Sequence, residues 1–570
     1  MFCRIKSTPN SPRRSVQIVE NRRDPKTRKT QQKILRHVGV AMNEAEEKKL
    51  RELAEELILQ MEIQKITNSP QGDLLAETAQ QDVQPSALLG RPRQKKLDEV
   101  IGSAAEVTLG EIVEEKRVIE GIHEVGGHVF DLLYEGLLES LGQRFYYRLR
   151  DLVLARIARP SSKHQTQKDL VSHFAKEHSL DSLYALMDKV HGKIDLIKAL
   201  TFARTRSLFP DGIDLLLFDV TTLYFESTDT DEMREFGYSK DCRFNTTQVV
   251  LALATNKEGL PISYELFNGK TAEVSTLIEA IGNWKKLFDI QEVCFVGDRA
   301  MMSEKNIGLL EASGYQYVIA AKLKKLPQTM KEEVLNLSQY DRVPAPEGKS
   351  KRNEPMLLQE FEHEGRRLIV SHTDSRARKD QHERAALLKK LEKTLGTQKK
   401  GSAKKLLSNT GTKRFIKMNE SLAMIDEAKV AEESRWDGLH GVISNIKDAS
   451  RLSLLQRYAS LWRIEESFRI NKYTLKMRPI FHFKPERIKA HVAICYMAFS
   501  VLRRLEYQAN LVQKIPVNQI IDTLMNVQAS IYVHKTKNQR YRMPGVFSVD
   551  ARKIYRAFHL ERSIDAEVYC

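Results

Sequence analysis

Residues 215–227 read LLLFDVTTLYFES. Four apolar residues run straight into Asp219, an acid that disfavours strands and is costly to bury, so a chemical reason for it is needed. Around this stretch the pattern is that of a sheet. Strands are expected at DLLLFDV, QVVLALAT, ISYELFN, EVCFVGD and YQYVIAAK, with a hairpin at NKEG and helices at VSTLIEAIGNWKKLF and SEKNIGLLEASG. Three strands, helix, strand, helix, strand predicts a mixed sheet whose first three strands meander and whose later strands return by helical crossovers. Asp219 then ends the first strand and Asp298 the fourth. A right-handed crossover sets those strands side by side and parallel, so both acids leave one edge, where open α/β sheets bind ligands.

A third acid lies in YASLWRIEESFRINK. Tyr458, Glu465 and Lys472 are spaced by seven, which on a continuous helix drifts only about 20° per step and predicts one stripe. Arg469, four residues after Glu465, is placed to pair with it or to help bind an anion. If that helix crosses the sheet edge, three carboxylates meet in one cleft and repel one another unless a cation neutralises them. Hard oxygen donors favour Mg²⁺ or Mn²⁺, and two such ions about 3.5–4 Å apart suit phosphodiester cleavage. The plainer alternative makes the two aspartates turn or cap residues and Glu465 a surface partner of Arg469.

Composition narrows the partners. The chain of 570 residues carries a formal charge of +16, which favours a polyanion, nucleic acid before a membrane surface. Five cysteines without a CxxC pair argue against a disulfide framework or a zinc site. HVAICYMAFSVL is too short to span a bilayer and reads as a buried helix, and the basic N-terminus has no signal-peptide core. A cytoplasmic, nucleoid-associated protein with no membrane partner is expected.

Seven regions are expected. Residues 1–40 form short strands with basic turns, and Arg13, Arg14, Arg22, Arg23, Lys26, Arg28 and Lys29 are read as phosphate contacts. A helix and linker fill 41–109, a helical domain 110–205, and the first part of the sheet 206–325. A β-rich insertion domain takes 326–450, with the basic run Arg376 to Lys405 either along DNA or as a solvated face. Helices bearing Glu465 take 451–526, and a C-terminal segment 527–570.

With these residues in view, the chain resembles the DDE transposases of bacterial insertion sequences, in the group with a Y-x2-R-x3-E-x6-K signature. The resemblance rests on LLLFDVTTLYFES, GYSKDCRFNTTQVVLALATNKEGLPISYELFNGKTAEVSTL, VCFVGDRAMMS, YQYVIAAKLK and YASLWRIEESFRINKYTLKMRPIFH. It implies a ribonuclease H-like α/β core with a mostly β insertion between the second Asp and the Glu. Asp219, Asp298 and Glu465 match the metal-binding acids, and Tyr458 and Lys472 the signature's Tyr and Lys near the DNA end. The signature's Arg position holds Leu461, with Arg463 two residues on. Arg299, beside Asp298, joins Arg463 and Arg469 as an expected DNA contact. The resemblance implies metal-dependent cleavage at element ends and transfer of the freed 3′-hydroxyl into target DNA, by a homodimer on double-stranded DNA. It also implies an aromatic residue in the insertion that stacks on a flipped base. Trp436 is the matching candidate, with a turn-capping core Trp as the alternative. The competing functions are a nuclease or resolvase without strand transfer, and an inactive DNA-binding repressor.

Overall fold

The computed structural model describes residues 2–7, 14–23, 30–41, 47, 51 and 54, and residues 109–569 except 211–212, 214, 227–229, 232, 236–246, 272–275, 277–278, 285–293, 298–302, 345–354, 397–414, 420–421, 513 and 538. Two units divide the chain, Met1–Glu106 and Val107–Cys570.

In the first unit, β1 (Phe2–Ser7), β2 (Arg14–Arg23) and β3 (Thr30–Ala41) form an antiparallel meander. Val16, Gln17, Ile18 and Val19 are all buried, where strict alternation would expose two of them. Two register shifts against β3, at Val16/Gln17 and Ile18/Val19, interrupt the alternation at this point. Glu47, Arg51 and Ala54 are helical, in line with the expected helix, while the linker after it lies outside the described residues.

The second unit opens with a strand, β4 (Ile112–Ile119), where a helix was expected. The longer helices that follow are α1 (Gly121–Tyr134), α2 (Gln143–Ala158), α3 (Lys163–Phe174), α4 (Leu180–His191) and α5 (Ile194–Arg206). The central sheet then begins with β5 (Leu215–Tyr224), β6 (Gln248–Thr255), β7 (Pro261–Asn268), β8 (Cys294–Gly297) and β9 (Gln316–Ala320). β6 lies between β5 and β7 and is antiparallel to both, and β8 and β9 run parallel to β5. This is the meander-then-crossover order read from the sequence.

Two features differ from expectation. β5 does not end at Asp219: it runs on through Thr221, Thr222, Leu223 and Tyr224, pairing residue by residue with β6 from Leu217↔Thr255 to Tyr224↔Gln248. β-branched and aromatic residues sustain the strand, so Asp219 sits in its middle. Nor do the main strands of 326–450 form a sheet of their own. β10 (Asp341–Val343), β11 (Met356–His363), β12 (Arg366–His372) and β15 (Leu439–Ser444) extend the same sheet, giving the order β10-β11-β12-β15-β9-β8-β5-β6-β7. The join is hydrogen-bonded by side chains as well: Ser444 Oγ donates to the Tyr317 carbonyl, and Asn445 takes the Tyr317 N–H and donates to the Tyr315 carbonyl. Between β12 and β15 the chain also forms α7 (Asp374–Gly396), the hairpin β13 (Ile416–Asn419) and β14 (Leu422–Ile425), and α8 (Glu427–Ser434), after α6 (Glu304–Ala312) earlier in the core.

The two sheet faces bury alternate residues of β5. Leu216, Phe218 and Val220 pack with Ala280, Ile281 and Trp284 and with Ile307 and Leu310 of α6. Leu215, Leu217 and Leu223 share the opposite core with α9 (Arg451–Ala459), α10 (Trp462–Arg469) and α11 (Pro485–Asn510). α11 is the hub of the helical layer, packing on α1, α2 and α4, and its segment His491–Leu502 is buried throughout. That is the core helix expected there; among the described residues no helix is long and apolar enough to cross a membrane. α12 (Val517–Met525) leads to β16 (Gln528–His534), β17 (Arg540–Pro544), α13 (Val549–Ala557) and β18 (Glu567–Tyr569). β16 pairs with β4, so the C-terminal segment completes a four-stranded sheet with the start of the unit.

Candidate active site and nucleic-acid interface

Asp219 is half-buried on the β5 face that carries Leu215, Leu217 and Leu223, and its Oδ1 accepts the Val220 N–H at 2.7 Å. α10 packs on that same face, against β5 and β6. The helix is amphipathic: Ile464, Ser467 and Phe468 are buried, while Trp462, Glu465 and Arg469 face out. Beyond it the chain returns to the sheet, where the Ile480 N–H donates to the Tyr224 carbonyl at 3.1 Å and Ile480 bridges to Phe225. Asp219 and the helix bearing Glu465 are thus brought to one side of the sheet.

The long single helix expected through this region is in three pieces. α9 stops at Ala459, α10 starts at Trp462, and Ile470–Thr474 winds as a π-helix. Ser460 Oγ donates to the Gln456 carbonyl at 3.1 Å, a local bond that competes with continued helix. Tyr458, Glu465 and Lys472 therefore fall on three different segments rather than one straight stripe. The Tyr458 ring packs against His440 with centroids 5.1 Å apart, and Lys472 is half-buried in the π turn. π turns recur at functional positions in helices.

The Glu465 carboxylate forms no hydrogen bond or ion pair among the described residues, although its backbone N–H donates to the Leu461 carbonyl. Its neighbour is in the opposite situation. Glu466 accepts from Arg469 at 3.2 Å and from Arg503 at 3.5 Å, and Arg503 also pairs with Glu506. Arg503 clamps the β6–β7 turn through the carbonyls of Gly259 at 3.0 Å and Glu258 at 2.9 Å. Gly259 has φ +81°, and a Cβ there would come within 2.3 Å of the Arg503 guanidinium, so the turn requires glycine twice over. One expectation changes: Arg469 pairs with Glu466 rather than Glu465, and Glu466 is part of a structural network. Sequence reading misses Arg503 because Glu466 and the carbonyls of Glu258 and Gly259 that it holds lie far away in the chain.

Arg463 is half-buried, donates to the Glu258 carbonyl at 3.2 Å and stacks on Trp462 at 5.0 Å. It braces the turn beneath α10. Asp298 and Arg299 lie outside the described residues; the strand that leads to them ends at Gly297. Among the described residues no group of three His, Cys, Asp or Glu is close enough to hold a metal.

Trp436 is 8% exposed and packs with Leu323, Leu326, Leu368 and Leu439, as the core reading holds. It also lines a cavity of about 460 Å³ with Arg376, Arg384, Asp437 and His440. Arg384 pairs with Asp437, and burial, then Arg376, lowers His440 to about 4. In the basic run, Arg376 pairs with Asp380 and Lys379 with Glu383 along α7, and 397–405 lie outside the described residues. In the first unit Arg14, Arg22 and Arg23 belong to strand β2, not to turns, and Arg14 pairs with Glu47 at 2.6 Å. Arg13, Lys26, Arg28 and Lys29 lie outside the described residues.

A mixed sheet with an acid at its centre and a second acid on the covering helix falls within residues 210–501, which match the family model described as transposase DDE domain. The chain belongs to that family: it is a transposase, an enzyme that acts on DNA. Among solved structures, the piggyBac transposase synaptic complex with hairpin DNA is similar at 9% identity and a TM-score of 0.35, over 71% of this chain and 77% of that one. No curated protein matches significantly.

Proposed function

We propose that the chain is an insertion-sequence transposase that cleaves DNA at the ends of its element and joins the freed 3′-hydroxyl to target DNA. The observation that carries this reading is Asp219 at the middle of the central strand, on the face covered by the helix that bears Glu465, inside the stretch matched by the transposase domain. The sheet order β7-β6-β5-β8-β9, with the first three strands antiparallel and the next two parallel, supports a ribonuclease H-like core. β8 runs parallel beside β5, with Leu217 opposite Val296, and its last residue, Gly297, directly precedes Asp298 in the sequence. Asp298 is accordingly proposed as the third acid.

Asp219, Asp298 and Glu465 would hold two divalent ions of the Mg²⁺ or Mn²⁺ class. Their hard carboxylate oxygens suit such ions, and among the described residues no cation pairs with Glu465. When bound, these ions supply activation of an attacking oxygen and stabilisation of the leaving one. The protein's own part is positioning. β5 fixes one carboxylate in a hydrogen-bonded strand, and α10 holds the other through Ile464 and Phe468. Arg503, with Arg463, locks the turn on which α10 rests. Lys472, Tyr458 and Arg469 would grip the strand being cut, since an exposed ion pair such as Arg469–Glu466 is weak enough to exchange for phosphate. Arg22 and Arg23, with the other basic residues of the first unit, would hold the element end, and two copies would assemble on paired ends.

A labelled duplex carrying the DNA that flanks the coding region, incubated with Mg²⁺ and a target plasmid, tests the reading. Nicking and joining are expected from the native chain. Nicking with no joining would leave a nuclease, and binding with neither would leave a repressor.

A further inference from the structure

A second cavity, of about 300 Å³, lies where the N-terminus of α3 meets the segment Lys476–His482 and the first turns of α11. Arg156, Lys163, Lys476 and Arg478 line it, with Ser162 and His491, and no carboxylate does. Lys163 is only 3% exposed, and its ammonium has no hydrogen bond or ion pair among the described residues. Burial, then the charge of Arg156, pushes it down to about 7. His491 Nδ1 is also buried there without a partner.

Asp151, Asp169 and Asp188, on the helices α2, α3 and α4 that line this cavity, are already committed. Asp169 is held by Gln165 at 3.0 Å and lies 3.7 Å from Arg159, Asp188 takes both nitrogens of Arg487, and Asp151 contacts His178 at 3.0 Å. The helix end adds to the imbalance. Ser162 caps α3 by accepting the Gln165 N–H at 3.3 Å, while the first-turn amides of Lys163 and His164 have no acceptor within the helix. Amides and dipole at such a terminus favour an oxyanion. A buried, unpaired ammonium among like charges is costly unless an anion completes the site.

We infer that this cavity binds a phosphate group, with Lys163, Arg156, Arg478 and the opening amides of α3 as its ligands. Ser162, His164, Lys476 and Phe481 are exposed at its mouth, so a phosphate of a DNA strand or a free phosphate can reach it. The inference does not rest on strand cleavage, because inorganic phosphate alone probes it.

The experiment is a set of thermal melts of the full chain in sodium phosphate and in sodium chloride matched for ionic strength. Phosphate should raise the Tm of the native chain in a saturable way. Lys163→Met should raise the Tm in chloride and lose the phosphate increment, and Lys163→Arg should keep it. Should Lys163→Met not fold, Lys476→Gln at the exposed mouth should weaken the apparent phosphate affinity several-fold. The same melts with saturating duplex DNA separate the sources: the increment disappears if a DNA phosphate fills the cavity and persists if free phosphate does. No saturable increment in the native chain, or an unchanged one in Lys163→Met, would overturn the inference.

Discussion

Two groups of acids in the second unit are treated in opposite ways. At the C-terminal clasp, Glu120 receives Arg542 at 2.6 and 2.7 Å and Arg562 at 2.7 Å, and Glu124 receives Arg562 at 2.7 Å together with the Tyr555 hydroxyl. The Arg562 side chain is 2% exposed, so these pairs lie inside the protein. On α10, Glu465 faces outward with no such partner among the described residues, while Glu466, one residue on, is gathered into the Arg503 network. Acids that hold the fold together are matched by arginines from distant segments, as burial demands. An acid kept for a metal has to be left without one.

The largest expected effect tests the unmatched side. Glu465→Gln and Asp219→Asn should each lower end cleavage by about 10³-fold or more, the scale for a group that acts as part of a catalytic unit. Urea melts should find Glu465→Gln within about 0.5 kcal/mol of the native chain, as for an ordinary surface change.

On the matched side, Arg562→Ala should destabilise the chain by about 3 kcal/mol in the same melts, because it removes the close guanidinium from Glu124 and one of the two from Glu120. Burial raises the Glu120 carboxyl, but Arg542 and Arg562 outweigh it and hold the group below its ordinary range. The stability from this pairing is therefore present above the ordinary carboxylate pKa and lost as pH falls through the lowered one. A native chain whose acid limb does not change in Arg562→Ala would break the comparison.

A related pH effect comes from buried imidazoles. Burial lowers His123 and His440 to about 4 and His482 to about 3. These groups stay neutral when folded and take up protons when unfolded, so stability should fall as pH drops from about 6.5 towards 4. Tm measured across that window should slope upward with pH, and a flat profile would contradict the buried neutral state.

Glu466→Gln sharpens the comparison at the smallest scale. It should cost about 1 kcal/mol through the weakened Arg503 clamp, and reduce cleavage far less than Glu465→Gln. Equal loss of cleavage in the two variants would erase the distinction between neighbours.

Much of the sheet was legible because β5, β6 and β7 are apolar runs bounded by turn residues, and because NKEG supplies both Asn256 and Gly259 for the β6–β7 turn. Asn256 Oδ1 accepts the N–H groups of Glu258 and Leu260, a local signal that sequence carries in full. The end of β5 was misplaced because an acid was read as a terminus, although Thr221–Tyr224 has strong strand propensity. β4 was missed since IVEEKRVI holds helix-favouring Glu and Lys, and its partner β16 lies some four hundred residues on. The extension of the sheet by β15 was hidden for the same reason, since its edge partner β9 precedes it by more than a hundred residues. The break at Ser460 has no Gly or Pro to announce it. The Lys163 cavity draws on α2, α3, α4, the turn after the π-helix and α11, and no spacing in the chain marks such a site.

The most direct measurement of the central claim is divalent-metal binding to the full chain, followed by Mn²⁺ titration with magnetic-resonance detection, in the native protein and in Asp219→Asn, Asp298→Asn, Glu465→Gln and Glu466→Gln. Native and Glu466→Gln chains should bind Mn²⁺ alike, and each of the other three should lose at least one ion or weaken its binding by an order of magnitude or so. Undiminished Mn²⁺ binding in Glu465→Gln would contradict the account, leaving that outward-facing carboxylate an ordinary surface acid.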